Sequence, residues 1–187
     1  GGEWQSADVA VLIPTDYQTK GVIIDDAGGG YWIATRGLRS LLRREDAAPG
    51  SAWGTPLGKA FARAVGGADW PSVRQAVYGG DRGAIGRLAL AVAEAAGEGD
   101  AFALAILEAA GRELATFAQA MEARLRRRLP VALAGGAARL HPAIFACFSE
   151  ALSGVETRFV TIDAAAGAAL LGGSSASGEG QTRRRAD

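Results

Sequence analysis

The stretch from Pro130 to Leu152 constrains the fold of this chain most. A short apolar run, Pro130-Val131-Ala132-Leu133-Ala134, passes directly into Gly135-Gly136 and then into a helix predicted from Pro142 to Leu152. The run is uniformly apolar and too short for a helix of its own, so it reads as a buried strand. Two glycines after such a strand let the backbone turn tightly and come close to a planar or phosphorylated ligand, with the amides of the turn as donors. Strand, glycine turn and helix in that order point to an α/β fold. Many α/β folds place glycines there only to turn, so on this pattern alone ligand contact at Gly135, Gly136 and Ala137 stays open.

The rest of the chain supplies a hairpin and a helical block. Val9-Ala10-Val11-Leu12-Ile13 and Gly21-Val22-Ile23-Ile24 are β-branched runs flanking Pro14-Thr15-Asp16-Tyr17-Gln18-Thr19-Lys20, which carries turn chemistry. Asp25-Asp26-Ala27-Gly28-Gly29-Gly30 follows, and then a helix from about Tyr31 with Ile33, Leu38, Leu41 and Leu42 at helical spacing, ending near Ala47-Ala48-Pro49-Gly50. From Pro56 to Leu129 the residues are mainly Ala, Leu, Arg and Glu, broken at Gly66-Gly67, Tyr78-Gly79-Gly80 and Gly97-Glu98-Gly99, which predicts several helices joined by short turns. The clearest is expected from Asp100, as N-cap, to Arg128, with Phe102, Ile106, Ala110, Leu114, Phe117, Met121 and Leu125 as its apolar stripe. Arg124, Arg126, Arg127 and Arg128 would then lie in its last turn, where cations suit the negative end of the helix dipole. Glu156–Ile162 reads as a strand and Asp163–Leu171 as a small-residue helix. The tail beyond Gly172 lacks apolar anchors and is expected to be disordered.

Composition narrows the function classes. The 187 residues are 49% hydrophobic and carry 20 basic and 20 acidic side chains, spread without a basic patch, so binding to nucleic acid or an anionic membrane is not expected. No run reaches the roughly 18 apolar residues of a spanning helix, and no secretory signal pattern opens the chain; a cytoplasmic location is the expectation. The single cysteine, Cys147, lies in an apolar run, so neither a disulfide frame nor a cysteine-ligated metal or iron-sulfur site can be built within one chain, and it reads as a buried structural thiol. No metal site is expected from protein ligands. His141 precedes Pro142 at a helix start and reads as a surface or capping residue. Trp53 and Trp70 read as partial core anchors, although an exposed one would suit a docking face. Arg183-Arg184-Arg185 reads as a solubilising end.

Four segments in order resemble one known family. Asp26-Ala27-Gly28-Gly29-Gly30-Tyr31-Trp32-Ile33 is similar to the Asp-Glu-Gly-Ser-Gly/Ala-Tyr-Trp-Ile segment of N-acetylglucosamine kinases and of the related ATPases that activate benzoyl-CoA reductase and similar dehydratases. Gly97-Glu98-Gly99-Asp100 with Ala105-Ile106-Leu107 resembles the family's Gly-Asp stretch, Val131–Gly136 its adenosine motif, and Asp163–Leu170 its closing Asp-Pro-Ala-x-Gly-Ala segment. The likeness spans about residues 21 to 172. It implies an α/β fold, the ribonuclease H-like C-terminal lobe of the actin/hexokinase ATPase fold with a large helical block. The expected divisions are a hairpin and Gly-rich loop over 1–30, the lobe over 31–172 and a tail over 173–187. It further implies ATP and Mg2+ as cofactors, a small sugar as substrate, nucleotide contact at Gly135, Gly136 and Ala137, and sugar contact at Asp26, Gly28 and Gly29. Asp26 reads equally well as a turn or capping residue before the helix. A homodimer is left open.

Departures from the family pattern matter for activity. Its first phosphate loop, Asp-x-Gly-x-Thr, does not occur in this sequence, and no catalytic base is identified. Where the second loop, Gly-Thr-Gly-Ser, is expected, the residues are Trp4-Gln5-Ser6-Ala7-Asp8. Ala27 and Gly29 replace the Glu and Ser of the sugar-side segment. Three readings follow: an ATP-dependent amino-sugar kinase represented by one lobe, a reductase-activating ATPase, or a non-catalytic lobe that binds a partner or dimerises. Phosphoryl transfer depends on positioning and charge stabilisation, so a lobe lacking both phosphate loops is expected to be inert alone.

Overall fold

A computed structural model describes residues 11–14, 26–126 and 128–160. Among these, strands β1 (Val11–Pro14), β2 (Val131–Ala134) and β3 (Thr157–Val160) form a parallel sheet in the order β1-β2-β3. The crossover from β1 to β2 holds helices α1 (Gly30–Ala47), α2 (Pro56–Val65), α3 (Trp70–Tyr78), α4 (Arg82–Arg87), α5 (Ala89–Gly97) and α6 (Ala101–Leu125). A short 3-10 turn (Ala137–Arg139) and α7 (Pro142–Ala151) join β2 to β3. The chain is thus mixed α/β with the expected helical block. β1 pairs along its length with β2, Val11 opposite Val131 and Pro14 opposite Ala134; the second run of the expected hairpin lies outside the described residues. So do the expected helix at 163–171 and the tail.

The uniformly apolar β2 is central because both its neighbours are strands and both its faces are covered. All four of its residues are buried, and Val131 and Leu133 each contribute about 2 kcal/mol by leaving water. Helix starts follow the polar signals in the sequence. Thr55, Asp69 and Asp81 accept from the amides of Gly58, Ser72 and Ala84, and Asp100 from those of Phe102 and Ala103. Each such cap stabilises its helix by about 1 kcal/mol. Asp100 also accepts from Leu57 N at 3.1 Å, so one buried carboxylate ties the first turn of α2 to that of α6. The Gly-Asp stretch of the sequence is therefore a packing joint. No helix among the described residues is long and apolar enough to cross a membrane.

Helix α6 corrects two expectations. It ends at Leu125, and Arg126 leaves it in the left-handed region at φ 52°; only Arg124 lies in the last turn. The chain must become extended before Pro130, which disfavours helix in the residue ahead of it. Within the expected stripe Ile106, Ala110 and Leu114 are buried and Phe117 and Met121 pack against the core, but the stripe fails at its ends and the packed face is widened by small residues. Ala103, Leu107, Ala110, Gly111, Leu114, Ala115 and Ala118 are buried with Ile106, whereas Phe102 is 65% exposed and Leu125 42%. Small residues win because α7 lies so close that a Cβ on Gly111 would overlap the carbonyl oxygen of Ile144. Phe102 instead lines an open groove of about 370 Å³ with Leu57 and Arg44.

Candidate functional site

Two short segments carry the residues expected to meet ligands. In the first, the chain enters α1 through a turn closed by Gly29 N donating to Asp26 O at 2.8 Å. Gly29 is the N-cap of α1 and has no side chain to accept an amide. The carboxylate of Asp26 fills that role from three residues upstream, accepting from Trp32 N at 3.2 Å. The absence of a Cβ at Gly29 makes this fold-back feasible, since a Cβ there would lie 2.7 Å from Asp26 Cγ. Gly28, at φ 81°, is buried against α6; a Cβ would lie 2.6 Å from Leu114 Cγ and 2.8 Å from the carbonyl oxygen of Ala110. Asp26 thus caps α1 and also faces a cation. Arg82 Nη2, from the start of α4, lies 3.2 Å from Asp26 Oδ2, and its guanidinium stacks 4.0 Å above the ring of Tyr31. Nη2 is buried, and both the charge of Arg82 and its side-chain hydrogen bonding favour the ionised Asp26 carboxylate.

Burial raises the Asp26 carboxyl above the usual carboxylate range, with Arg82 and the amides of Trp32 and Tyr31 pulling the other way. The folded chain therefore binds this proton more tightly than the unfolded chain does. Its contribution to stability is present at low pH and is lost as pH rises through the folded-state value. Urea denaturation from roughly pH 4 to 7 should show wild type losing stability relative to Asp26→Asn as pH rises. A difference growing with the opposite sign would mean that the Arg82 pair outweighs burial.

The second segment is the turn after β2. Gly135 sits at φ 113°, a conformation that side chains rarely adopt. It redirects the chain out of the sheet and into the 3-10 turn, where Ala137 and Ala138 are buried. Gly136 itself is exposed, takes ordinary right-handed helical angles, and a Cβ built on it meets nothing within 4 Å. Among the described residues no neighbour requires glycine at 136, and its backbone angles do not either. The bare backbone there borders open space at the carboxyl end of a parallel strand, the usual place for a ligand in open α/β sheets.

Residues 12–172 match the BadF/BadG/BcrA/BcrD ATPase family. The chain belongs to this family. Its fold is also similar, with a TM-score of 0.63 and 30% identity, to the crystal structure of a "putative N-acetylglucosamine kinase" from Chromobacterium violaceum, over 82% of this chain and 50% of that one. The chain therefore spans about half the length of this structural relative. Among curated proteins no significant match is found.

In this BadF/BadG/BcrA/BcrD-family chain, one turn of α6 stands between the two segments. Ala110 and Leu114 receive Gly28, and Gly111 receives α7, the helix that follows the glycine turn. Asp26, Gly28 and Gly29 lie in one turn seated on α6, while Gly135, Gly136 and Ala137 form the turn after β2 that leads to α7, the helix packed on that part of α6. Arg82 was not legible in the sequence. It lies 56 positions from Asp26 in a stretch that carries only the Gly-Gly-Asp signal of a helix start. His141 caps α7, its Nδ1 accepting from Ala143 N at 3.2 Å. Cys147 is only partly buried, with Arg112 Nη1 3.7 Å from its sulfur, and burial raises its thiol pKa. Trp53 packs on the core, whereas Trp70 is half exposed. Among the described residues no three His, Cys, Asp or Glu side chains cluster to hold a metal.

Proposed function

We propose that this chain is the ribonuclease H-like, nucleotide-binding lobe of a cytoplasmic ATP-dependent kinase that phosphorylates a hydroxyl of an amino sugar. The observation that carries the reading is Gly136, an exposed glycine that neither backbone angle nor packing demands, in the family's adenosine position. A nucleoside lying on Gly135, Gly136 and Ala137 would meet backbone without a side-chain clash. Asp26, Gly28 and Gly29 would form the sugar side. There the carboxylate of Asp26, oriented by Trp32 N and Arg82, accepts hydrogen bonds from sugar hydroxyls, while the two glycines set its direction and its seat on α6. Mg2+ would arrive on the nucleotide phosphates, its usual carrier in phosphoryl transfer. The neutral Ala27 and Gly29, in place of Glu and Ser, leave Asp26 with fewer polar companions on this side. Lobe closure would bring the γ-phosphate to the sugar hydroxyl.

With the full-length protein, ADP release should depend on glucosamine or N-acetylglucosamine and yield the sugar phosphate. Asp26→Asn should raise KM for the sugar roughly tenfold or more, the effect expected for losing a charged hydrogen bond, with KM for ATP unchanged. ATP hydrolysis indifferent to sugars would instead support the reductase-activating ATPase reading. That reading, which calls for a cysteine-bound cluster between subunits, is disfavoured here by Cys147, the single cysteine of the sequence, which lies partly buried on α7 against Arg112 of α6.

A further inference from the structure

The cation that faces Asp26 stands where helix chemistry does not favour one. Arg82 is the first residue of α4, directly after the N-cap Asp81, and the first turn of a helix suits anions rather than cations. Its guanidinium is engaged on α1 instead, 4.0 Å above the Tyr31 ring and 3.2 Å from Asp26 Oδ2. A residue that breaks a local preference and is held by a distant contact marks a place where the site outweighs propensity. The close approach of α4 to α1 is made by two glycines. A Cβ on Gly30 would lie 3.1 Å from the Gly86 carbonyl oxygen, and one on Gly86 3.5 Å from Tyr31 N. Arg82 and Gly86 are four residues apart and share one face of α4. The glycine contact therefore sets how far Arg82 stands from Tyr31 and Asp26.

Packing alone does not call for a charge at position 82. An apolar side chain would cover Tyr31, and α1 already has its cap, because Asp26 accepts from Trp32 N. The guanidinium adds charge and direction. Trp32 N and Arg82 Nη2 meet the same oxygen, Oδ2, from two helices, which fixes the plane of the carboxylate, while stacking on Tyr31 restrains the guanidinium itself. The Asp26 side chain is 13% exposed and that of Arg82 31%, so the pair sits at the surface, within reach of a ligand. Arg82 from α4 is the charged group that pulls the carboxyl down against burial, helped by the amides of Tyr31 and Trp32 from α1. From α6 the turn meets Leu114 and Ala110, and the neighbouring Asp81 carboxylate is turned to Ala84 N.

We propose that Arg82 is a positioning residue for the sugar side, holding the Asp26 carboxylate in the direction that a sugar hydroxyl meets, from a seat built by the Gly30–Gly86 contact. The proposal rests on the kinase reading and deepens it. Arg82 supplies from α4 the polar partner that Ala27 and Gly29 do not, and its charge extends to lower pH the range in which Asp26 can accept from the sugar.

The test compares full-length wild type, Arg82→Gln and Arg82→Lys, with kcat and KM for N-acetylglucosamine and for ATP measured from about pH 5 to 8. Arg82→Gln should raise the sugar KM about tenfold at neutral pH, as a misdirected binding group does, with KM for ATP unchanged. Its acid limb in kcat/KM for the sugar should move to higher pH, because the charge that favours the ionised carboxylate is gone. Arg82→Lys keeps the charge but not the planar fork, so the limb should return towards wild type while the sugar KM recovers only in part. Carbon-13 NMR of the Asp26 carboxyl should show the same order of titration in the three proteins. If circular dichroism finds Arg82→Gln unfolded, Arg82→Lys carries the test, with a raised sugar KM and the limb in place. An unchanged sugar KM, an acid limb and Asp26 titration that stay put in folded Arg82→Gln, or an equal loss for sugar and ATP would overturn the proposal. Wild type that hydrolyses ATP without phosphorylating the sugar would overturn the kinase reading and the proposal with it, so the two failures are read from different proteins.

Discussion

Replacing Gly136 by arginine should abolish nucleotide binding, raising the ATP dissociation constant of the full-length protein by roughly a hundredfold or more, which corresponds to about 2.7 kcal/mol. The fold should barely notice. Gly136 has φ −65° and ψ −42°, angles open to every residue, and a Cβ on it meets no atom within 4 Å. An arginine there has only the open space beside the turn to occupy, which is the space the adenosine would need. Isothermal titration calorimetry measures the affinity, and a thermal scan the fold, with the melting temperature expected within about 2 °C of wild type because exposed substitutions seldom exceed 0.5 kcal/mol. Unchanged ATP affinity in a folded variant would sink the assignment of this turn. Gly135 could not serve, because its φ of 113° would strain any side chain and confuse lost binding with lost structure.

Gly28→Ala should be among the most destabilising single changes in the chain, costing roughly 2–5 kcal/mol. Two penalties add. The left-handed φ of 81° costs alanine about 1–2 kcal/mol, and its Cβ would stand 2.6 Å from Leu114 Cγ and 2.8 Å from the Ala110 carbonyl, an overpacking worth about 1–3 kcal/mol. The Leu114 side chain could rotate; the Ala110 carbonyl belongs to the buried face of α6 and cannot. Urea unfolding followed by circular dichroism gives the loss directly. The same variant separates two meanings of a glycine in a ligand segment. Preserved stability with a raised sugar KM would make Gly28 a ligand contact alone, whereas the expected loss of stability makes it the hinge that seats the Asp26 turn on α6.

What local chemistry decides was readable in the residues. The boundaries of α1 and α7, the caps Asp100 and His141, and the strand before Gly135 all follow from side chains acting on backbone a few positions away. A cap or turn carries most of its energy within four residues, so the code is local. The order of the four motif segments likewise pointed to the family that residues 12–172 match.

Packing decided what the sequence alone left ambiguous. The expected stripe on α6 holds at Ile106, Ala110 and Leu114 but not at Phe102 and Leu125, and the buried face also takes in Ala103, Gly111, Ala115 and Ala118, because the close approach of α7 to Gly111 is set by a helix distant in sequence. Asp26 was equally a cap or a ligand residue in the sequence, and the fold shows it capping α1 while facing Arg82, a cation that only the return of α4 across α1 brings near. Gly28, Gly29 and Gly136 look alike in one dimension. In three, Gly28 yields to a neighbouring helix, Gly29 to the Asp26 carboxylate, and Gly136 to nothing among the described residues, because what surrounds a missing Cβ depends on elements distant in sequence. Local chemistry in the sequence set most of the helices and strands, the caps Asp100 and His141, and the family; the folded arrangement set which of these similar glycines serve packing and which one borders open space among the described residues, since steric exclusion acts between atoms in contact whatever their separation along the chain.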